Sequence, residues 1–461
     1  MMESRERTRR LKMISSPTRY RSILALVAAG LILVVAPGAF AAIQGVTGTS
    51  FNLVARQDRI TLGDGDSMLM WGYANGAGRM QYPGPTLILQ QGVPVTVKLT
   101  NQLPAAAGNV SIVFPGHQVT AVGGVSGVLT REAVVGDPEG VTYAFTPTEP
   151  GTYIYHSGTR MDLQVEMGLV GAIIVRSTTA STSGCPNLGA AFNNLAGGDP
   201  RCLETKYAYN HAGTGYHREF LFFQTDLDPK LHRLVEFGRF NRIDTTEGFA
   251  TCWFLNGRNF PDTLAEAGVP WLPTQPYNCS PIMRPGETIL VRMVTATRDP
   301  HPLHFHGNHV RVIARDGRML SSGPGNGPDL SFENYTVIGN PGQTVDALFT
   351  WTGEGMGWDI YGHAPGDPEQ PYEVLADHGT PFPVVLPARD DLVLGQFYSG
   401  SPFMGSQGSL PPGHPGLNAA GGFFFMWHSH TEKELSNNNI FPGGLITLLN
   451  VVPWTAELPV E

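Results

Sequence analysis

Short runs of hydrophobic and β-branched residues alternate with turn residues along most of the chain. A first series of such runs occupies residues 86–89, 94–99, 142–145, 152–155 and 170–175. A second series occupies residues 219–224, 251–255, 288–294, 309–314, 344–349, 423–427 and 445–451. Short strands separated by turn residues are typical of all-β proteins. Each series contains enough strands for one sandwich, so the pattern predicts two β-sandwich domains.

The segments between the strands set the predicted domain boundaries. Residues 177–215 are rich in Ser, Thr, Gly and Asn, which indicates a connection between domains. We therefore predict a first domain at residues 43–178, a linker at 179–214 and a second domain at 215–455. A Pro/Gly-rich stretch at residues 362–422 is too long for a hairpin loop, and it predicts an ordered insertion near a functional edge.

The two halves of the chain also share a sequence pattern. In the first half an aromatic-rich strand ends in His156-Ser157, and in the second half a similar strand ends in His428-Ser429. In both halves a loop follows, and Gly-rich residues then open an apolar strand. Such internal similarity predicts a duplicated β-sandwich.

Composition agrees with this architecture and excludes two classes of protein. The 461 residues include 56 Gly and 37 Pro, and 41% are hydrophobic, which fits a turn-rich β protein better than a disordered chain or a helical bundle. Only 15% are charged, with 30 Lys and Arg against 39 Asp and Glu, for a net charge of −9. This acidic balance excludes nucleic-acid binding through bulk charge.

Residues 1–41 have the pattern of a secretory signal peptide. Seven basic residues precede an apolar run at residues 23–36, and Ala39-Phe40-Ala41 offers a small-residue cleavage site. The run is 14 residues long, whereas a membrane span needs roughly 20 residues, so we predict cleavage rather than an anchor. The mature chain, with 23 basic and 37 acidic residues and a net charge of −14, would be periplasmic or secreted.

Four cysteines in an exported chain predict two disulfides. Their spacing favours Cys185 with Cys202 and Cys252 with Cys279, each closing a local loop, although the sequence leaves the other two pairings open. No two cysteines have the spacing of a zinc or iron–sulfur knuckle, which makes a cysteine metal site the weaker alternative.

Five of the 14 histidines form two tight clusters in the second half, and they are His301, His304, His306, His428 and His430. Residues two apart on a strand point to the same face, so His304 with His306, and His428 with His430, each present two imidazoles on one side. Imidazole binds copper, zinc, nickel and iron, and two such strands face to face could hold one metal ion or a close pair. The alternative is a set of hydrogen-bonded histidines at a sandwich edge.

The motifs around these histidines resemble those of the multicopper oxidases, a family of cupredoxin-fold proteins that includes laccases. In the first domain, residues 83–87 and the Tyr-His-Ser at residues 155–157 resemble two motifs of the family. His-Pro-Leu-His-Phe-His-Gly at residues 301–307 is similar to the family's His-Pro-x-His-Leu-His-Gly, and residues 428–430 lie where its His-Cys-His motif belongs. The resemblance implies two cupredoxin-like Greek-key β-sandwiches with a copper site at their interface.

Departures from the family pattern remove the blue, type 1 copper. The cysteine of the fourth motif is Ser429 here, and the ring ligand that follows it is Glu434, so only His301 of the type 1 set remains. A serine hydroxyl cannot replace a soft thiolate ligand. In the first domain the corresponding positions are Ser157 and the acidic Glu166. We therefore expect no blue copper, and we expect both glutamates to be solvated rather than to bind a metal.

The trinuclear copper set of the family is reduced as well. Residues 113–116 replace the first histidine motif and Gly158 replaces a later histidine, so three of the eight expected ligands are absent. By family position His304 would be a type 2 ligand, and the type 3 ligands would be His156, His306, His428 and His430. His117, next to the lost motif, is either a replacement ligand or, more commonly for such a residue, a polar loop residue.

Three hypotheses for function follow from these residues. The first is an exported multicopper-oxidase-like protein that binds one or two copper ions and is at most a restricted oxidoreductase for a small reductant or a metal ion. The second is a non-catalytic copper carrier, and the third is a metal-free sandwich kept for structure or partner binding. Two-domain members of the family form trimers, so the resemblance implies a homotrimer in which His156 meets its partners from a neighbouring subunit.

Overall fold

The structure of the protein is a computed structural model that describes residues 43–184, 190–192, 203–382, 404, 422–456 and 458. The predicted signal peptide, Cys185 and Cys202 lie outside the described residues. No helix within the described ranges is long and apolar enough to span a membrane.

Two facing sheets form the first sandwich. Its strands are β1 (Val46–Thr47), β2 (Ser50–Thr61), β3 (Ser67–Asn75), β4 (Gly84–Gln90), β5 (Val95–Asn101), β6 (Thr120–Gly123), β7 (Val125–Ser126), β8 (Arg131–Glu132), β9 (Val141–Phe145), β10 (Gly151–His156) and β11 (Val170–Arg176). One sheet has the order β1-β4-β11-β10 and the other the order β3-β2-β5-β9-β6, with β7 and β8 as a separate pair. Alternate residues of β5, Val95, Val97 and Leu99, are buried in the core between the sheets.

Two further sheets form the second sandwich. Its strands are β15 (Arg218–Leu227), β16 (Cys252–Leu255), β17 (Ile282–Met283), β18 (Thr288–Ala296), β19 (His301–Phe305), β20 (Val310–Arg315), β21 (Arg318–Met319), β22 (Phe332–Asn334), β23 (Thr336–Gly339), β24 (Thr344–Thr350), β25 (Phe423–Ser429) and β26 (Ile446–Val451). The larger sheet has the order β16-β15-β18-β24-β20-β21, with β22 also paired to β20, and the smaller has the order β17-β26-β25-β19-β23. Both sandwiches are cupredoxin-like, as the sequence predicts.

A small sheet of β12 (Thr182–Ser183), β13 (Glu204–Tyr207) and β14 (Gly215–Tyr216) lies in the connection between the sandwiches. The two described α-helices are Met161–Gln164 and Pro229–Glu236. The second begins after Asp228, whose carboxylate accepts a hydrogen bond from the Lys230 amide. Short 3₁₀ turns occur at Ala105–Ala107, Ala212–Thr214, Phe240–Arg242, Thr245–Glu247, Asp262–Leu264, Leu375–Asp377 and Glu432–Leu435.

The domain boundaries given above, at residues 43–178, 179–214 and 215–455, stay predictions.

The strand pairs that carry the His-Ser sequences have the same arrangement in both sandwiches. In the first, β10 runs antiparallel to β11 and His156 pairs with Val170, the first residue of β11. In the second, β25 runs antiparallel to β26 and His428 pairs with Ile446, the first residue of β26. The sequence similarity of the two halves therefore reflects a repeated strand pair. In each pair a histidine near the end of one strand lies opposite the first residue of the next.

The two sandwiches pack through a shared apolar core. Met70 and Tyr82 of the first sandwich belong to the same buried cluster as Phe254 of the second. Beside this cluster, the hydroxyl of Thr152 in β10 donates a hydrogen bond to the buried carboxylate of Asp346 in β24. Apolar burial and a buried hydrogen bond together fix the position of the first sandwich against the second.

The predicted disulfide between Cys252 and Cys279 is wrong, because both residues are free buried thiols. Along β16, Cys252 faces the core between the sandwiches, whereas Cys279 packs in the core inside the second sandwich. The Cys252 sulfur lies 3.4 Å from the Asn438 side chain, and the Cys279 sulfur lies 3.8 Å from the Leu221 carbonyl. The two thiols thus occupy opposite sides of one sheet, and burial raises the pKa of Cys252 to about 12.

Candidate metal centre

Two neighbouring strands of the second sandwich bring three histidines together. Strand β19 pairs antiparallel with β25, and His304 lies directly opposite His428. Leu303 and Phe305 of β19 are buried in the core, so the intervening His304 points to the other face of the sheet. His306 follows one residue after the end of β19, and its ring centroid lies 4.9 Å from that of His304.

The nitrogens of these three histidines are close enough to share a metal ion. One ligand atom from each of His304, His306 and His428 lies within 4.8 Å of the other two. We call these three residues the histidine triad. The Nε2 atoms of His306 and His428 are 3.2 Å apart, which matches the separation of about 3.3 Å between two nitrogens bound at about 2.0–2.1 Å to one tetrahedral ion.

Hydrogen bonds on the outer side of the triad orient two of its rings. The Nδ1 atom of His304 lies 2.7 Å from the Thr336 hydroxyl, and the Nδ1 atom of His428 lies 2.7 Å from the Ser429 carbonyl. Such contacts fix the tautomer of a ligand histidine and leave Nε2 for the metal. The triad therefore has oriented donor atoms of the kind that copper binds.

The electrostatic environment keeps the triad neutral. Burial, together with the nearby imidazoles of His306, His428 and His430, lowers the pKa of His304 to about 4. Burial also lowers the pKa of His306 and of His428. A neutral imidazole is the form that binds a metal ion, so the site does not need to lose protons near neutral pH.

His430 lies at the open side of the triad. Its ring centroid is 4.8 Å from that of His304 and 5.7 Å from that of His428. Its Nδ1 atom is 2.9 Å from the Glu432 carboxylate, and both side chains are exposed. The structure thus brings four of the six predicted metal ligands, His304, His306, His428 and His430, to one face of the second sandwich.

His301 lies on the other face of β19 and has carboxylate neighbours. It is fully buried, with Nδ1 2.9 Å from the Glu434 carboxylate and Nε2 3.5 Å from that of Asp226. Burial alone lowers the pKa of His301, but the two carboxylates raise it to about 9. The hydroxyl of Ser429 donates to the same Glu434 carboxylate at 2.5 Å. We call His301, Asp226, Glu434 and Ser429 the buried ion-pair cluster.

The prediction that Glu434 and Glu166 are solvated is wrong, since both are buried. Glu434 has 1% of its surface exposed and belongs to the buried ion-pair cluster. Glu166 has 6% exposed, and its carboxylate lies 3.0 Å from Arg298 and 3.6 Å from His232. Both acids follow a strand end, but the loops that carry them fold back onto the sandwiches, where charged partners compensate the carboxylates.

The two histidines of the first sandwich lie apart from the triad within one chain. His156 ends β10, and its Nδ1 atom is 2.9 Å from the Ser157 carbonyl, the same local contact that His428 makes. His117 packs against the rings of Phe145 and Tyr153, with centroids 4.9 and 4.5 Å away. His117 is therefore an aromatic-packed loop residue here, and burial lowers its pKa to about 4.

A second group of side chains that could hold a metal ion was not predicted from the sequence. It consists of Asp359, His363, Glu373 and His378, whose ligand atoms also lie within 4.8 Å of one another. All four belong to or adjoin the Pro/Gly-rich stretch, where they are spaced as Asp-x₃-His and Glu-x₄-His. That spacing is the only signal in the sequence, because no strand periodicity connects the two pairs.

Comparison with known proteins shows a family likeness in the first sandwich. Residues 59–180 match the family model described as "Multicopper oxidase". This part of the chain is similar to a multicopper oxidase domain. The matched residues cover most of the first sandwich, including His156, whereas the triad lies beyond them in the second sandwich.

Several known proteins are similar to parts or to most of this chain. An L-ascorbate oxidase from Brassica rapa subsp. pekinensis is 34% identical over 100 residues, which are 21% of this chain and 16% of that protein. The blue copper oxidase from Nitrosomonas europaea has a TM-score of 0.50 at 15% identity, covering 87% of this chain and 85% of its own. The multicopper oxidase mgLAC has a TM-score of 0.50 at 16% identity, covering 87% and 86%. Over most of the chain, these likenesses show a shared fold.

Copper is the metal of the multicopper oxidase family, and the triad could hold a metal ion. The triad fits copper because its donors are neutral imidazoles with no carboxylate among them. The buried ion-pair cluster does not fit a blue copper, because a serine hydroxyl and a carboxylate stand where the family has a thiolate and an imidazole. Both nitrogens of His301 already face carboxylates.

Proposed function

We propose that the protein is an exported copper-binding member of the multicopper oxidase type that holds copper at the triad and contains no blue copper. The observation that carries this proposal is the set of three imidazole nitrogens within 4.8 Å of one another on two paired strands. The outer hydrogen bonds to Thr336 and Ser429 support it, because they hold the rings in place before a metal arrives.

Two more histidines complete the proposed site. His430 has its Nδ1 beside Glu432, which leaves Nε2 available next to His304. His156 has the same Nδ1 contact as His428, so its Nε2 is also available. We assign His156 to the copper site of a neighbouring subunit in a homotrimer, where the first sandwich of one chain faces the second sandwich of the next.

Copper at the triad would supply one-electron redox chemistry towards a small reductant or a metal ion. The chain leaves the outer side of the site open, because His306 and His430 are exposed. Since Ser429 cannot relay electrons as a thiolate does, the reductant has to reach the triad itself, and we therefore propose a restricted oxidoreductase.

A copper carrier is the second candidate, and the same open side favours it. A site whose ligands lie at the surface can exchange its metal with another protein, and the missing thiolate removes the path for fast electron transfer. The carrier and the oxidoreductase use the same ligands, so only turnover distinguishes them.

The test begins with mature protein that is reconstituted with Cu(II), desalted and analysed for copper per chain, with visible absorption recorded on the same sample. We expect one or two copper ions without an intense thiolate band at about 600 nm. Oxygen uptake with Fe(II) or a phenol, absent in copper-free protein, would establish the oxidoreductase, and copper binding without uptake would establish the carrier. A chain that retains no copper would contradict the proposal.

A further inference from the structure

Two acids and two histidines meet at residues 359–378, a described stretch in which no strand is assigned. Asp359, His363, Glu373 and His378, which we call the mixed tetrad, lie in a loop at residues 351–382 that follows β24. His363 Nδ1 is 3.1 Å from an Asp359 oxygen and 3.3 Å from a Glu373 oxygen. His378 Nδ1 is 2.7 Å from the same Glu373 oxygen and 3.7 Å from the same Asp359 oxygen. Each imidazole thus faces both carboxylates.

Backbone amides orient the two carboxylates of the tetrad. Asp359 accepts hydrogen bonds from the amides of Tyr361 and Gly379, each at 2.8 Å. Glu373 accepts one from the Gln370 amide at 2.6 Å through its second oxygen, Oε2. Its Oε1 is therefore turned towards the histidines. These hydrogen bonds are local to the loop. The backbone therefore fixes the positions of the carboxylate oxygens that face the histidines.

Burying two carboxylates together costs free energy unless a positive charge lies beside them. Asp359 and Glu373 each have only 1% of their surface exposed, and His363 and His378 are half-buried. Two carboxylates side by side in a buried place repel each other and have lost their water. Within the described residues, these two acids form ion pairs with the two histidines. A divalent cation at the centre would compensate both negative charges while the imidazoles remain neutral.

The tetrad also joins parts of the loop that have little other regular structure. Between residues 351 and 382 the only helical turn is Leu375–Asp377. The ring of Tyr361 stacks on His363 with centroids 5.5 Å apart, and Val374 forms a bridge with Phe192 in the connecting segment. A metal ion bound here would cross-link residues 359–363 to residues 373–378, as structural zinc sites do in loops without a large core.

We propose that Asp359, His363, Glu373 and His378 bind one zinc ion, at a second metal site separate from the triad. The four nitrogen–oxygen separations, 2.7, 3.1, 3.3 and 3.7 Å, bracket the edge of about 3.3 Å of a tetrahedral zinc site with these ligands. Four protein ligands close the coordination shell, which is typical of structural rather than catalytic zinc. Two imidazoles disfavour calcium and magnesium, which prefer oxygen ligands alone.

The experiment uses the full mature chain with the double substitution His304→Ala and His306→Ala, which removes two triad ligands and leaves the tetrad intact. The protein is stripped with a chelator, loaded with Zn(II), desalted and analysed for zinc by mass spectrometry. We expect one zinc per chain, and we expect about a tenfold lower content when Glu373→Gln or His378→Ala is added. Glu369→Gln is the matched control, because Glu369 is an exposed acid in the same loop.

Cobalt(II) gives a readout that does not depend on the tetrad variants folding. On the double-substituted chain with its tetrad intact, Co(II) should give the intense d–d absorption of a four-coordinate site, and added Zn(II) should remove it. Two results would overturn the proposal. One is a correctly folded chain, by circular dichroism, with neither stoichiometric zinc nor this spectrum, since the tetrad is then a metal-free ion-pair network. The other is full zinc content in folded Glu373→Gln and His378→Ala chains.

Discussion

His301 and His304 lie three positions apart on one strand and have opposite chemical environments. His301 points into the second sandwich, where Asp226 and Glu434 raise its pKa to about 9 against the effect of burial. His304 points to the other face, where burial and three neighbouring imidazoles lower its pKa to about 4. The residue type and the backbone are the same, so the neighbours on each face decide whether an imidazole carries a proton or is free for a metal.

The comparison also shows what lies at the positions where the resemblance would place a blue copper. On the inward face a thiolate and an imidazole would make a copper site with His301, but Ser429 and Glu434 make a hydrogen-bonded ion pair with it instead. On the outward face the ligand nitrogens of the triad lie within 4.8 Å of one another. The ion pair on the inward face and the group of imidazoles on the outward face are therefore separate arrangements on the two sides of a single sheet.

The largest effect expected is the loss of copper when the outward face is altered. His304→Ala with His306→Ala removes two of the three triad ligands and should abolish stoichiometric copper binding, measured as copper per chain after desalting. His309→Ala is the matched control, because His309 is an exposed histidine three residues beyond His306. Unchanged copper content in the double variant would show that the triad is not the site.

The next effect is on stability and concerns the inward face. Glu434→Ala leaves the buried His301 without its nearer carboxylate, and breaking such a buried pair costs about 3–5 kcal/mol of unfolding free energy. Urea denaturation measures this cost. Copper content of the folded variant should remain that of the wild type. If copper were lost in parallel with stability, the two faces would not be independent.

In the metal-free protein, the contributions of His301 and His304 to the unfolding free energy should change at opposite ends of the pH range. The folded pKa of His301 is raised, so its stabilisation is complete below pH 6.5 and is lost as pH rises through about 9. The folded pKa of His304 is lowered, so the unfolded chain binds the proton first and stability falls as pH falls from 6.5 towards 4. The measurement is the unfolding free energy across this range. Glu434→Gln should flatten only the alkaline limb.

The smallest effect expected is on the orientation of one triad ring. Thr336→Val removes the hydroxyl that lies 2.7 Å from His304 Nδ1 and should weaken copper affinity roughly tenfold, as changes to partners of metal ligands do. Competitive titration with a copper chelator measures this change. Thr350→Val in β24 is the control, since the hydroxyl of Thr350 contacts Thr288 instead. Equal affinities in the two variants would contradict the assigned role of Thr336.

The sequence alone determined the features that depend on local period and residue type. Alternation along strands predicted two β-sandwiches and placed His304 with His306 on one face. The replacement of the family cysteine by Ser429 predicted the loss of the thiolate. These inferences hold because strand geometry repeats every two residues and because a serine hydroxyl is a hard, neutral donor in any fold.

Only the tertiary structure decided which distant side chains become neighbours. It put Asp226 and Glu434 beside His301, buried two glutamates that were expected to be solvated, and kept Cys252 and Cys279 apart on opposite sides of a sheet. It also gathered the mixed tetrad from a loop without periodicity. Such contacts depend on how loops fold back onto the sandwiches, and because packing between residues far apart in the chain sets them, no local pattern in the sequence specifies them.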